Sequence, residues 1–451
     1  MHLWCWLALV AFIPVTSSTS PGVKVKITEK GLEYGKASAN RLGWFGTVCQ
    51  SKTAACSLMQ IMNLGLPKSA LTLAPGTGVS LSISNAFINL HGNWKVKYMN
   101  FIKDSGSFDL SVNGLTITTS ISVKSDETGR PVVNSVNCGA TVGSAKIKFH
   151  GGASWLYNLF SKFIDQALRK ALQKQICPLV ADAISELNPH LKTLNVLAKV
   201  DKLAEIEYSM VSSPVISKSS IDLSLKGEFY NIGQHQEPPF SPKPFPMPPQ
   251  VNNMLYIGVS TFTINSAAFV YNKAGALSLF ITDDMIPPSS PIRLNTRTFG
   301  AFIPQIAKRF PGLMMKLLVK TVKDPGITLE GNNVTVQTTS TVTAYAIQPN
   351  STLTPLFILN VDISVSARMY LTEMRLAGAV ALNTMDMNLR TSYVGDFQVR
   401  PLQNIFQIVL KVAVIPRVNA QFQKGCPLPA IGKMKLVNSQ LQVLKVRHSV
   451  I

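Results

Sequence analysis

Between Gly78 and Phe149 the chain alternates apolar and polar residues in short runs: VSLSIS, NAFINL, NWKVKY, SFDLSV, LTITTSISV and AKIKF. A period of two is that of a strand with one buried face. Gly92-Asn93, Val112-Asn113-Gly114 and Ser125 to Arg130 read as turns between the runs. The pattern therefore predicts antiparallel sheet. In NWKVKY, Trp94, Val96 and Tyr98 alternate with Lys95 and Lys97, which puts the two lysines on one face.

The period then changes. The stretch ASWLYNLFSKFIDQALRKALQKQICPLV has apolar residues at 156, 160, 163, 164, 167, 168, 171 and 172, the stripe of one long amphipathic helix. Arg169, Lys170 and Lys174 lie off that stripe and read as solvated surface. Strand character returns at IDLSLKGEFY.

The second half repeats the theme. MLYIGVSTFTINSAAFVY, ALSLFIT, VTVQTTSTVTAYAI, LFILNVDISVSARMYL and DMNLRTSYV read as strands. FGAFIPQIAKRF reads as a short helix with a proline, and QNIFQIVLKVAVIPRVNAQF as a late helix. Residues 229–250, FYNIGQHQEPPFSPKPFPMPPQ, hold too many prolines for a helix or interior strand and predict an extended linker. The expected fold is α+β, with similar domains at 21–228 and 251–451, each an antiparallel sheet wrapped on long helices. Such packing makes a core, or leaves an elongated apolar cavity suited to acyl chains.

Composition narrows the function. Hydrophobic residues make up 46% of the 451 and charged residues only 15%, which marks a core-forming chain. The net charge of +20 favours an anionic partner. Residues 1–20 hold an apolar run, Leu3 to Val15, followed by small residues, and read as a secretory signal peptide. The mature protein is thus expected to be secreted, extracellular or in a secretory granule. That compartment disfavours nucleic acid as partner and favours lipid, polysaccharide or a membrane surface. No later segment reads as a membrane span, because IFQIVLKVAVIP is short and Lys411 interrupts it.

Cysteine and histidine usage adds little chemistry. Beyond the leader stand Cys49, Cys56, Cys138, Cys177 and Cys426, an odd number. Among the possible pairs Cys138–Cys177 fits best, since it ties a strand end to the long helix. Asn333 and Asn350 begin Asn-x-Ser/Thr acceptors for glycans. No nucleophile-elbow, zinc-protease, P-loop or Cys-x-x-Cys motif occurs, and the histidines lack ligand spacing. Asp283-Asp284 in ITDDMIP reads as a turn after a strand. No enzyme, metal or catalytic cofactor is expected, and a secreted esterase is the weakest of the readings weighed.

Longer stretches carry a resemblance. They are PGVKVKITEKGLEYG, NLGLPKSALTLAPGTGVSLSISNAFINLHGNWKVKY, SGSFDLSVNGLTI, LSLKGEFY with the proline linker, AGALSLFITDDMIP, AFIPQIAKRFPG, FPGLMMKL and RVNAQFQKGCPLP, in that order. In these the chain resembles the bactericidal/permeability-increasing protein and lipopolysaccharide-binding protein family of the tubular lipid-binding superfamily. The resemblance implies an elongated boomerang of two β-barrel and long-helix domains joined by a central sheet, each with an apolar pocket for a bound phospholipid. It implies a disulfide at Cys138 and Cys177. It also implies a basic N-terminal tip for the lipid A phosphates of lipopolysaccharide, here Lys95, Lys97 and Lys103 with Trp94 packed beside them. Phe163, Ala167, Leu168 and Leu172 are the matching pocket candidates.

Two stretches depart from that family: KASANRLGWFGTVCQSKTAACSLMQ, within 36–60, and the short end LQVLKVRHSVI. Charge adds a third difference. Residues 21–230 carry 23 basic against 14 acidic side chains, net +9, and residues 231–451 carry 20 against 9, net +11. The total favours the bactericidal branch, but the excess is not confined to the first domain. The resemblance implies a monomer that binds lipopolysaccharide, phospholipid and the anionic outer membrane of Gram-negative bacteria, with antibacterial or endotoxin-neutralising action. The alternative it implies is a carrier moving phospholipid or endotoxin between membranes and receptors.

Overall fold

The computed structural model describes residues 20–34, 59–65, 68–98, 102–247, 249, 251–331, 333–373, 375–427 and 437–445. The leader, Cys49, Cys56 and nearly all of 36–60 lie outside them. The chain forms two units, one from Met1–Val196, Ser209–Lys226 and Pro246–Gly258, the other from Leu197–Tyr208, Gly227–Phe245 and Val259–Ile451.

The first unit opens with β1 (Val23–Thr28), β2 (Met59–Gly65), β3 (Lys68–Ala74), β4 (Gly78–Tyr98), β5 (Ile102–Ser125), β6 (Pro131–Thr141) and β7 (Ser144–His150). Helices α1 (Ser154–Leu159), α2 (Ser161–Ser185) and α3 (Leu187–Lys192) follow. Then come β8 (Leu197–Lys199) and β9 (Ala204–Glu207) of the second unit, β10 (Val215–Ile216) and β11 (Ser220–Leu225) of the first, and β12 (Glu228–Asn231) of the second. Strand β13 (Leu255–Val259) completes a sheet of order β10-β11-β1-β13.

The main sheet of the first unit is built on one hairpin. β5 pairs β4 along one edge, while its other edge pairs β7 near the hairpin end and β6 further away. The short runs read as separate strands are therefore two long ones. Gly92-Asn93 and Val112-Asn113-Gly114 are not turns: Gly92 pairs Phe108, Asn93 pairs Ser107 and Val112 pairs Ile88. Asn85 (φ 55°) and Gly114 (φ 65°) lie where the register shifts, so they bend the strands without ending them. Ser125 to Arg130 is a true turn, closed by Asp126 N donating to Arg130 O at 2.8 Å.

The expected long helix is three helices. Leu168, Leu172 and Ile176 of α2 pack on a core of Leu110, Val112, Val142 and Ala145. Phe163, Ala167 and Ala171 of the same stripe are exposed, because only one narrow side of α2 meets β6 and β7. Cys138 and Cys177 form a disulfide with Cα atoms 5.6 Å apart, joining β6 to α2.

The second unit continues with α4 (Thr261–Lys273), β14 (Ser278–Ile281), α5 (Thr296–Gly300), α6 (Pro304–Arg309), β15 (Met315–Thr321), β16 (Gly326–Glu330), β17 (Asn333–Ile347), β18 (Leu353–Thr372) and β19 (Arg375–Ser392). It closes with α7 (Gln403–Val409), α8 (Ile415–Lys424) and β20 (Cys426–Pro427). Its main sheet runs β14-β15-β17-β18-β19-β20 with β16 on β17, and β12-β9-β8 form a smaller one.

Two further expectations change here. TFTINSAAFVYNK reads as strand but is α4, because Phe262, Thr263, Ser266, Phe269 and Val270 recur at helical spacing and are buried together. Ser266 fixes it: its hydroxyl donates to Thr263 O at 2.8 Å and accepts from Phe229 N at 3.1 Å. The late helix holds a π-helical segment, Leu410–Val414, and Arg400–Lys424 is long and apolar enough to cross a bilayer, contrary to expectation. Its apolarity serves the core instead, where Leu402, Ile405, Phe406, Val409, Leu410 and Ala413 are buried. The proline-rich stretch lacks helix and strand from Ile232 on, among its described residues; Phe229 and Tyr230 are buried in β12.

The described cores of the two units differ in size. Among the described residues the main core of the second unit has twenty-three buried apolar side chains, against four in the α2-side core of the first. An apolar cavity between Ile281, Leu317, Val361, Met385 and Phe406 measures about 10 Å³, space for one water at most.

Candidate functional site

The hairpin end of the first unit carries the candidate site. Register puts Lys97 opposite Lys103 and Lys95 opposite Ser105. Lys95 is exposed.

Trp94 secures the other side of the strand. Its Nε1 donates to Ser107 O at 3.0 Å. Its ring meets Phe149 of β7 at 5.8 Å and Tyr157 of α1 at 5.0 Å, both edge to face. Opposite it stands Gly106, where a Cβ would lie 2.9 Å from the indole nitrogen and 2.0 Å from His150 O. The glycine is thus required by the close approach of ring and backbone.

A hydrogen-bonded histidine–aspartate cluster lies further along the hairpin. His91 Nδ1 is 2.7 Å from Asp109 Oδ1, and His150 Nε2 is 2.9 Å from Asp109 Oδ2. The hydrogen bonds from His91 and then His150 hold the Asp109 carboxyl below its ordinary value. Lys148 pairs with Asp109 in the β5–β7 register, and Lys146 and Lys148 are exposed. No group of three or more histidine, cysteine or acidic side chains among the described residues is arranged to hold a metal ion.

The cluster was not legible from spacing, because residues 91, 109 and 150 meet only through strand pairing. Phe149 and Tyr157 were missed for the same reason. The alternation in AKIKF was the available signal for Lys146 and Lys148.

The remaining expected residues scatter. Of the pocket candidates, Leu168 and Leu172 face the sheet while Phe163 and Ala167 do not. Arg169, read as solvated, donates to Val142 O at 2.8 Å. Asn350 lies exposed in a turn, and Asn333 is half-buried at the start of β17. Asp283 accepts from Leu294 N at 2.7 Å and pairs with Arg293, a structural fastening of the loop after β14.

Comparison with known proteins places this geometry. Residues 34–190 match the N-terminal domain of the LBP / BPI / CETP family, and residues 198–448 match its C-terminal domain. The first match runs across the whole of the stretch 36–60 that departs from the resemblance. The chain is 70% identical to the bactericidal permeability-increasing protein of Sebastes schlegelii, over 99% of this chain and 97% of that one. It is 30% identical to the lipopolysaccharide-binding protein of Homo sapiens, over 97% and 94%. A crystal structure of lipopolysaccharide binding protein superposes with a TM-score of 0.52 at 32% identity, covering 91% of this chain and 94% of that one. With both domains matched and the α+β two-domain fold shared, the chain belongs to the LBP / BPI / CETP family.

Proposed function

We propose that this protein binds lipopolysaccharide of Gram-negative bacteria as a secreted innate-immunity factor, with antibacterial or endotoxin-neutralising action. The observation that carries the reading is the 70% identity, over nearly the whole chain, to a bactericidal permeability-increasing protein. The lysine register at the β4–β5 tip supports the site: Lys95, Lys97 and Lys103 meet lipid A phosphates, with Trp94 bracing the strand behind them. Each lysine near an anionic lipid surface contributes about 1 kcal/mol. Three alone give weak binding, so acyl burial at ~0.8 kcal/mol per methylene must add the rest.

Leu168 and Leu172, on the sheet side of α2, are the acyl or phospholipid contacts of the first unit, whereas Phe163 and Ala167 lie on its exposed side. The filled core of the second unit argues for placing lipid in the first. The protein works by binding and not by turnover, acts as a monomer on the bacterial outer membrane, and has no nucleic-acid partner. Secretion is supported by the leader and by the Cys138–Cys177 disulfide.

The test is binding of the secreted protein to lipopolysaccharide at several salt concentrations, beside Lys95→Glu/Lys97→Glu. Binding that weakens with salt and collapses in the variant supports the tip. Equal binding by both proteins sinks it. The exposed apolar side of α2 favours a second reading, a carrier of phospholipid or endotoxin. It predicts phospholipid transfer between vesicles that survives the charge reversal.

A further inference from the structure

A single carboxylate, Asp109, stands among the lysines of the hairpin's outer face. The β4–β5–β7 register sets it between His91 and Lys148. Residues two apart along a strand share a face. The same face therefore holds Lys95 on β4 and Lys146 and His150 on β7, and Lys97 and Lys103 occupy its next register positions toward the hairpin end. The other carboxylates between His91 and His150 are placed elsewhere. Asp104 stands opposite Val96, on the Trp94 side, and accepts from Ala153 N and Ser105 N, each at 2.9 Å. Asp126 accepts from Thr128 N and Arg130 N inside the Ser125–Arg130 turn, which also holds Glu127.

Histidine occupies both oxygens of Asp109, His91 on Oδ1 and His150 on Oδ2. The side chains of His91, Asp109 and His150 are 39%, 54% and 40% exposed, so the cluster exchanges protons with solvent and meets an arriving ligand. Its charged neighbours are Lys95 on β4 and Lys146 and Lys148 on β7, all exposed. On the far edge of β4, β2 places Gln60 opposite His91, and no residue of β2 titrates. Tyr157 of α1 and Asp165 of α2 belong to the helix side of the sheet, where Tyr157 packs on Trp94 and Asp165 accepts from Ile147 N at 2.9 Å.

Protonation reverses the charge of this cluster. The two hydrogen bonds hold the Asp109 carboxyl below its ordinary value, so it stays ionised in mild acid. Histidine is the side-chain type whose charge changes between neutral and mildly acidic pH. With both rings neutral the cluster carries one negative charge, which offsets the lysines around it. With both rings protonated it carries one positive charge and adds to them. The change lies within the cationic face, and its sign is fixed: anions are held more tightly as pH falls.

We propose that His91, Asp109 and His150 form a proton-operated switch on the tip, which blunts its hold on lipopolysaccharide phosphates near neutral pH and strengthens that hold in an acidic compartment. The switch rests on the tip reading for its ligand. The histidine variants leave every tip lysine in place, so the switch can fail while the tip stands.

The experiment measures binding of deacylated lipopolysaccharide by the full secreted protein at about pH 7.5 and about pH 5.5, at one ionic strength. The ligand's own phosphates titrate in this range, so each variant is read against wild type at the same pH. His91→Gln/His150→Gln is expected to match wild type near neutral pH and to bind about tenfold more weakly in acid. Asp109→Asn is expected to bind several-fold more tightly than wild type near neutral pH, a gain that lost structure would not give. A ratio of His91→Gln/His150→Gln to wild type that is the same at both pH values overturns the switch. So does Asp109→Asn that binds no more tightly than wild type near neutral pH. Lys95→Glu/Lys97→Glu separates the two readings. If it binds like wild type at both pH values, the tip reading falls and the switch falls with it. If it collapses while the histidine variant shows no acid-specific loss, the tip stands and the switch alone is overturned.

Discussion

Lys97 stands directly opposite Lys103 in the β4–β5 register, two like charges next to the end of a hairpin. Like charges at directly opposed register positions are unfavourable as a rule. Lys97→Glu replaces this pair with one of opposite charge and is expected to stabilise the hairpin by roughly 0.2–1 kcal/mol. The same change should weaken lipopolysaccharide binding and flatten its salt dependence. Denaturant melts and binding titrations on one preparation check both. A variant that is neither more stable nor weaker in binding would show that the register carries no functional charge.

Asp109 makes a pH-dependent contribution of known sign. Hydrogen bonds from His91 and His150 lower its pKa from the ordinary 3.8. A carboxylate depressed in the folded state adds stability above 3.8, and that stability is lost as pH falls through the lower folded value. Asp109→Asn should therefore be less stable than wild type near neutral pH, and the two should converge in strong acid. The carboxylate is half exposed, so the gap should be modest and should shrink with salt. Thermal melts across the acid range give the answer, and parallel curves at every pH would rule the contribution out.

The disulfide closes a loop of 39 residues between β6 and α2. In the chain-entropy picture that constraint is worth roughly 4 kcal/mol. Cys138→Ser/Cys177→Ser should lower stability by about that amount and loosen α2 from the sheet. Hydrogen exchange should quicken first in α2, whose packing core in the first unit has only four buried apolar residues among those described. Unaltered exchange in α2 would show that side-chain packing alone holds it.

The two glycan acceptors should behave differently. Asn350 is exposed in a turn, its Oδ1 accepting from Thr352 N at 3.1 Å and Thr352 Oγ1 at 2.7 Å. Asn333 pairs Glu330 in the β16–β17 hairpin and is half-buried. Expression in a glycosylating host should give a mass shift that Asn350→Gln removes and Asn333→Gln leaves. A shift that follows Asn333 instead would reverse the assignment.

Periodicity alone determined much of this protein. Alternation marked both long hairpins, the stripe residues Leu168 and Leu172 marked the packed side of α2, and the order of whole stretches marked the family. Local pattern suffices there because a strand or helix face is set by residues two to four apart. It failed at TFTINSAAFVY, where β-branched and aromatic residues suit either state, and burial of Ser266, Phe269 and Val270 against β9 and β12 decided for helix. It failed again at Gly92 and Gly114, where pairing to Phe108 and to the bulge at Ala86 turned apparent breaks into continuous strand. The lysines of the tip were legible as types, but only the register set Lys97 against Lys103. The His91–Asp109–His150 cluster and the Trp94–Phe149–Tyr157 brace lay beyond any local reading. Apart from Phe149 and Tyr157, eight residues apart, their contacting members are 18 to 63 residues apart in the chain, and hydrogen-bonded strands with one helix end are what bring them within contact.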